Sequence, residues 1–353
     1  MKTYLALFLS LLFFTSCSKE NTEIEKRNYK MGFTTFPYEF SVESVNSTYT
    51  FITENADIYS EHIDNTIPWE ALINQTALPT AFVDDIDAKV SRKINSHQLL
   101  LSVSILNTIR TDLQKGYNGQ VPTYNALTDE HIENGYFRYL EYLIDRLAPN
   151  YLVMAMEVNE LKFNNPSKWN EYKQLGDKIR TRLKNKYPSL KIAESFTLHS
   201  WYQKSTEAIN DIREYSSTSD FLAISFYPFI MQKHTKEEFQ GAFDFLHSQT
   251  LKPIAFVETN ALAQNLSIPN LNVFIPSSET EQNIYLETLL ENAQKQNYEF
   301  VIWWTHRDYD KLLPFFPEEA KDLGLIWRDT GLLNEDGNER LAYSTWKENF
   351  ERK

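Results

Sequence analysis

The chain has 353 residues, of which 42% are hydrophobic and 24% are charged, a composition too apolar for a disordered protein. Its formal net charge is -13 and it contains no basic run, which excludes nucleic acid as a partner because phosphate backbones require clustered Lys and Arg. The single cysteine, Cys17, excludes internal disulfides and thiolate zinc clusters.

Residues 1–16 have the pattern of a secretory signal peptide. Lys2 precedes an apolar run from Leu5 to Phe14, which is shorter than the roughly 20 residues needed to span a bilayer. The residues before Cys17 resemble the lipobox of bacterial lipoproteins, although Phe14 stands where Leu is usual. The resemblance implies a lipidated Cys17, a flexible tether over residues 17–28, and an extracytoplasmic protein anchored to a bacterial membrane, at the outer membrane or cell surface. Secretion without lipidation, or retention, is the alternative.

The remaining chain, residues 29–353, alternates short apolar runs with amphipathic segments and has no linker. Eight apolar runs predict strands buried on both faces of a parallel sheet: 30–36, 56–63, 98–106, 151–158, 191–198, 221–227, 253–257 and 300–304. Apolar residues repeat every three or four positions in four predicted helices: 135–147, 169–186, 236–248 and 280–296.

Strand and helix alternating around eight strands predict an α/β fold of one domain, a (β/α)8 TIM barrel. An open doubly wound sheet is the competing architecture. The chain has only 9 glycines, and no Gly-x-Gly-x-x-Gly turn follows any predicted strand. This absence excludes the usual dinucleotide and P-loop sites, and no cofactor is implied.

Carboxylates follow two of the predicted strands, at the barrel end where active sites are built. Glu160 comes after the fourth strand, directly behind Asn159, and Glu258 ends the seventh strand. A charged side chain at the end of an apolar strand is costly to bury, so it indicates either an ion-pair partner or a functional role. Two carboxylates with different pKa values are what cleavage of a glycosidic bond requires. Glu157 lies near the end of the same fourth strand that Glu160 follows. It is either the acid/base in place of Glu160 or an internal salt-bridge partner.

These residues, together with Trp304 at the end of the eighth strand, resemble the clan A group of retaining (β/α)8 glycoside hydrolases. The resemblance implies that Glu160 is the acid/base, Glu258 an ionised nucleophile, and Asn159 a ligand of the sugar 2-hydroxyl. Segments 220–229 and 252–259 are similar to the arabinogalactan endo-β-1,4-galactanases, glycoside hydrolase family 53. The arginine motifs of that family near the second strand are missing here, which leaves the galactan specificity open.

Further substrate-binding candidates are aromatic and histidine side chains near strand ends. Tyr227 is the predicted hydrogen-bond donor to Glu258, and Trp304 is predicted to face the barrel interior while its neighbour Trp303 faces the helices. The others offer flat apolar faces or ring nitrogens to sugars: Trp69, Trp201, His62, His199 and His306. Packing without a functional role is the alternative for each.

The sequence therefore predicts a lipid-anchored, monomeric enzyme that cleaves a β-linked poly- or oligosaccharide with retention of configuration. A non-catalytic glycan-binding lipoprotein on the same barrel is the first alternative. A metal-dependent deacetylase or esterase is the second, and it requires His62, Asp64 and His199 to converge on one point.

Overall fold

The structure is a computed structural model, and it describes residues 26–64, 66–124 and 126–352. The predicted signal peptide, Cys17 and most of the predicted tether lie outside these residues. Among the helices of the described residues, none combines the length and the apolar character needed to cross a membrane.

Parallel strands form one sheet that curves into a barrel. Its neighbours run in the order β5, β4, β3, β2, β1, β11, β8, β7, β6, and β5 and β6 are two halves of one barrel strand separated only by Glu194. The strands are β1 Lys30–Thr34, β2 Ile58–Ile63, β3 Gln98–Val103, β4 Tyr151–Val153, β5 Lys191–Ala193, β6 Ser195–Thr197, β7 Leu222–Phe226, β8 Ile254–Thr259, β9 Leu266–Ile268, β10 Val273–Ile275 and β11 Phe300–Trp303. The chain thus has the predicted (β/α)8 barrel, with β9 and β10 as a small antiparallel hairpin after β8.

Helices surround the barrel and connect its strands. They are α1 Val42–Asn55, α2 Trp69–Asn74, α3 Thr80–Ser91, α4 Glu130–Leu147, α5 Glu160–Asn164, α6 Pro166–Lys186, α7 Thr206–Ser216, α8 Lys236–Gln249, α9 Glu279–Gln296, α10 Glu318–Leu325 and α11 Leu341–Phe350. Side chains cap several of them, because the first backbone N–H groups of a helix lack partners within it. Ser278 accepts a hydrogen bond from Glu281 N at the start of α9, and Thr235 forms a capping box with Glu238 at the start of α8.

Two apolar layers hold the barrel together, as expected for strands covered on both faces. The barrel interior is filled by side chains from its strands and their ends: Ile58, Leu100, Tyr151, Val153, Met156, Ala193, Phe221, Ala223, Ala255, Val257, Phe300 and Ile302. A larger cluster lies between the strands and the helices. Trp303 belongs to this outer layer and donates a hydrogen bond from Nε1 to Thr330 O (2.9 Å).

The break between β5 and β6 is built around a buried charge. Glu194 is fully buried and accepts hydrogen bonds from Arg180 (2.6 Å), Tyr215 (2.7 Å) and Ser219 (3.0 Å). Gly176 on α6 makes room for this group, since a Cβ there would lie 2.1 Å from the Tyr215 hydroxyl. A carboxylate that is buried but paired and fully hydrogen-bonded avoids most of its desolvation penalty.

The predicted end of the tether, at residue 28, is wrong because residues 26–28 are already bound to the domain. Arg27 pairs with Asp57 at 2.7 Å, and Asn28 donates hydrogen bonds to Gln294 O and to Asn297 Oδ1. These contacts lie where β1 begins, at the end of the barrel opposite the carboxyl ends of its strands.

Candidate functional site

A β-bulge turns Glu258 into the mouth of the barrel. Ile224 of β7 pairs with Phe256, but the next residue, Ser225, pairs with Glu258, so β8 contains one extra residue at this point. Val257 faces the barrel interior, and regular alternation would point Glu258 toward the helices. The bulge removes that alternation, which is a recurrent device beside active sites.

Glu258 lies beside the predicted histidine and tryptophan. Its Oε2 is 3.5 Å from His62 Nδ1, and the His62 ring meets the edge of Trp304 with centroids 4.8 Å apart. Burial lowers the pKa of His62 to about 4, so its imidazole is neutral near pH 7 and has one N–H to donate. Burial, with the Glu157 charge as a second cause, raises the pKa of Glu258 well above its usual range. Burial and the Glu157 charge thus act against the predicted ionisation of Glu258, which stays a prediction.

Glu157 and Arg110 form a second charged group at the mouth. Arg110 Nη2 lies 3.2 Å from both Glu157 Oε2 and Asp64 Oδ2. Both Glu157 (φ 56°) and Arg110 (φ 51°) have left-handed backbones, a conformation that costs a non-glycine residue on the order of 1–3 kcal/mol and concentrates at functional sites. Burial raises the pKa of Glu157, with the Glu160 charge acting in the same direction and Arg110 opposing it.

Glu160 is the first residue of α5 and lines an open cleft of about 260 Å³ with Glu157. Its Oε1 accepts a hydrogen bond from the Thr197 hydroxyl at the end of β6. The other residues that line this cleft come from the loops after β3, β4, β6, β7 and β11: Thr108, Ile109, Arg110, Asn164, Thr197, His199, Tyr227, Ile230 and Trp327.

Three polar groups in this cleft have no hydrogen-bond partner within the described chain: the Tyr227 hydroxyl, His199 Nδ1 and Trp327 Nε1. The rings of His199 and Trp327 flank Tyr227, with centroids 6.5 Å and 5.8 Å from it. Burial lowers the pKa of His199 to about 4, so it too is neutral near pH 7. Since buried donors and acceptors are normally satisfied, these three groups are suited to the hydroxyls of a ligand.

No protein-family model and no curated protein sequence matches this chain. Several solved structures match it in fold. A GH5_18 variant from Bifidobacterium longum in complex with Manb1-4GlcNAc superposes with a TM-score of 0.68 at 16% identity, covering 92% of this chain and 78% of that one. A GH5_18 variant from Streptomyces cattleya with the same ligand has a TM-score of 0.64 at 14% identity, covering 91% and 80%.

A b-glucuronidase from Ruminococcus gnavus in complex with D-glucuronic acid has a TM-score of 0.54 at 11% identity. It covers 91% of this chain and 49% of that chain, so this chain spans about half the length of the b-glucuronidase. At these identities the comparisons show the fold. This chain has the barrel of those proteins.

Four predicted substrate-binding residues do not line the cleft that contains Glu160. The Asn159 amide is fully buried and bonds the Thr197 backbone in both directions (2.8 and 3.0 Å), so it joins the end of β4 to β6 and is not free for a sugar hydroxyl. Trp201 is buried against Phe196 and Phe245. His306 is buried beside Phe51, with ring centroids 4.6 Å apart.

Trp69, the fourth, is 3% exposed and donates from Nε1 to Gln114 O (2.8 Å). It lines a different and larger cavity than the one that contains Glu160. The predicted hydrogen bond from Tyr227 to Glu258 is also absent from the described contacts, and His62 stands beside Glu258 instead. The division between Trp303 and Trp304 is confirmed, since Trp303 faces the helices and Trp304 contacts His62.

Sequence reasoning missed Arg110, Thr197 and Trp327. Arg110 and Trp327 lie in loops without periodicity, so no pattern marks them. Thr197 could have been found, because it is a polar residue at the carboxyl end of the fifth apolar run, beside the end of the fourth run that Glu160 follows. Arg110 supplies a guanidinium beside Asp64, the residue after β2, although it comes from the loop after β3.

The metal-site alternative finds no support in the geometry. Across residues 26–64, 66–124 and 126–352, one group of three metal-ligating side chains comes within 4.8 Å, and it is Asp308, Asp310 and Asp329, not the two histidines with Asp64. Arg340 pairs with Asp308, and Arg328 pairs with Asp329 and Asp310. The protein's own cations thus compensate this acidic group.

Proposed function

We propose that this protein is a glycoside hydrolase that cleaves a β-linked poly- or oligosaccharide with retention of configuration. The observation that carries the proposal is the assembly of Glu160 and Glu258, from opposite sides of the barrel, at one mouth together with Glu157. Glu157 interacts electrostatically with both of them. The fold shared with the glycoside hydrolases above supports the same proposal.

In this mechanism Glu160 donates its proton to the glycosidic oxygen while Glu258 attacks the anomeric carbon and the bond to the leaving group breaks. Glu160 then takes a proton from water, and the water oxygen displaces Glu258 and restores both carboxyl groups. The sugar that is attacked lies on Trp304, beside His62. The leaving group occupies the cleft lined by Tyr227 and His199.

The charges of the cleft favour a neutral sugar. Among the described residues that line the cleft, Arg110 is the one with a permanent positive charge. The carboxylates of Asp64 and Glu157 already pair with it. The carboxyl groups of Glu157, Glu160 and Glu258 also lie beside the cleft, so the carboxylate of a uronic acid would find no free counter-charge there in the described part of the chain. We therefore infer that glucuronides are not substrates, in contrast to what the b-glucuronidases of similar fold bind.

Reducing-sugar release by the purified chain without residues 1–17 tests the proposal. The panel contains β-galactans, β-glucans, β-mannans, xylans and Manβ1-4GlcNAc, with an aryl β-glucuronide as the charged comparison. We expect hydrolysis of at least one neutral member and none of the glucuronide. Affinity for one glycan without any hydrolysis would instead support the alternative, a non-catalytic glycan-binding protein.

Glu157 is expected to set the acidic side of the pH profile. Glu258 must be ionised to attack, and the neighbouring Glu157 charge raises its pKa. Replacing Glu157 by Gln removes that charge, so the pKa of Glu258 falls and the acidic limb of kcat/KM moves to lower pH. Arg110→Gln removes a positive charge that opposes the shift, so the limb moves to higher pH. Equal profiles for the two variants would contradict this role.

We also propose that Cys17 is lipidated and anchors the protein outside the cytoplasm. Labelling of the full chain with radioactive palmitate in a bacterial host tests this. Incorporation that persists in Cys17→Ser would contradict it.

A further inference from the structure

A second cavity, larger than the cleft, lies between the connections that follow β2 and β3. It has a volume of about 600 Å³, within the usual range of ligand sites, roughly 300–1,000 Å³. We call it the loop cavity. One wall is the start of α2 with the residues just beyond it, and the other is the segment from Gly116 to Tyr124. Both walls belong to the connections that leave the carboxyl ends of β2 and β3, the end of the barrel that carries Glu160 and Glu258.

Its lining combines aromatic rings and neutral polar groups with aliphatic side chains. Trp69 forms a buried surface, while Tyr117 at the opening is 43% exposed. Tyr124 also lines the cavity, where its ring is stacked on His131 with centroids 4.4 Å apart. Amide side chains lie among these rings: Asn74, Asn118 and Gln120.

The charge of the lining selects the kind of ligand. No Lys or Arg lines the loop cavity in the described chain, and Glu70 is its one acidic residue. An anionic ligand would therefore find no counter-charge, and the protein carries a net charge of -13. Flat apolar faces beside amide donors and acceptors match a neutral, hydroxyl-rich ring, because each can contact a different part of it.

Hydrogen bonds to backbone carbonyls fix the two walls to each other before any ligand binds. Ile67 N donates to Lys115 O (3.1 Å), and Trp69 Nε1 donates to Gln114 O (2.8 Å). Gly116 N donates to Gln120 O (2.8 Å), which closes the turn that presents Tyr117. A wall ordered in advance loses little conformational entropy on binding.

The same loop also reaches the catalytic cleft. It runs from Ile109, which lines the cleft and is 67% exposed, to Tyr117 and to Val121, which is 36% exposed, both lining the loop cavity. One connection thus presents apolar side chains to both sites.

We propose that the loop cavity is a second glycan site, which holds a neutral segment of the same polysaccharide whose bond is cleaved at Glu160 and Glu258. This proposal rests on the proposed function for the identity of its ligand. The loop cavity adds affinity for a long chain and takes no part in the chemistry.

The test compares a long with a short substrate. In Tyr117→Ala we expect roughly tenfold weaker affinity for the polysaccharide hydrolysed in the panel, corresponding to the loss of one aromatic contact. Affinity is measured in the Glu258→Gln background, which prevents turnover. The kcat/KM for a short aryl β-glycoside, measured with Glu258 intact, stays unchanged. Tyr117→Phe keeps the ring and retains the affinity. Tyr187→Ala is the matched control, because Tyr187 directly follows the C-terminal end of α6 and lines neither the cleft nor the loop cavity.

Unchanged polysaccharide affinity in a folded Tyr117→Ala would overturn the proposal. A parallel loss on the short glycoside would also overturn it, because Tyr117 would then act in the cleft. If the wild-type chain hydrolyses nothing, the same affinities are measured with each soluble glycan of the panel. Failure of the hydrolase proposal is thereby distinguished from failure of the second site.

Discussion

Glu258→Gln is expected to lower kcat/KM on every substrate by roughly four orders of magnitude, since an amide cannot attack the anomeric carbon. Glu160→Gln is expected to lose about 10²–10⁴-fold on natural glycosides, where the leaving oxygen needs a proton. On an aryl glycoside whose phenolate leaves without protonation, the first step in Glu160→Gln should remain close to wild type. Steady-state and burst kinetics on both substrate types measure the difference.

Glu299→Gln is the matched control for these variants. Glu299 is also a carboxylate next to a barrel strand, but it lies at the amino end of β11, where it accepts hydrogen bonds from Tyr151 (2.8 Å) and Lys191 (2.7 Å). Its replacement should leave kcat/KM unchanged. Two results together would assign the acid/base role to Glu157 instead. Glu160→Gln would be as active as this control on natural glycosides, and Glu157→Gln would be inactive.

Glu194→Gln is expected to have the largest effect on stability. It removes the buried partner of Arg180 at 2.6 Å and leaves this buried residue paired only with the exposed Asp177 at 2.9 Å. Removing one member of a buried ion pair costs about 3–5 kcal/mol of unfolding free energy. Denaturant unfolding monitored by tryptophan fluorescence measures this loss.

Glu133→Gln supplies the comparison for a surface ion pair. Glu133 pairs with Lys178, whose side chain is 53% exposed, and with Arg182, which is 34% exposed. Such pairs contribute about 0–1 kcal/mol. Equal destabilisation by the two substitutions would show that the group at the break between β5 and β6 does not hold the barrel closed.

The barrel could be predicted because its strands are buried on both faces. A strand such as β7, whose five residues are all buried, must be continuously apolar, and that run is visible in the sequence. The positions of Glu160 and Glu258 follow from the same logic, because a charge at the end of an apolar strand stands out.

The details of the site could not be predicted, since they depend on irregular backbone. The bulge at Val257 and Glu258 reverses the side that alternation assigns. The amide of Asn159 is taken up by the backbone of Thr197, a pairing that no residue pattern reveals. Trp327 reaches the cleft from a loop more than 20 residues after β11, and only the folded chain brings it beside Tyr227.

Covalent trapping tests the central proposal most directly. The wild-type enzyme is incubated with a 2-deoxy-2-fluoro glycoside of the sugar released in the panel, carrying an activated leaving group, and is then digested and mapped by mass spectrometry. A retaining hydrolase with the proposed roles accumulates one glycosyl group, esterified to Glu258. Turnover without any adduct, or an adduct on Glu157 or Glu160, would contradict the mechanism.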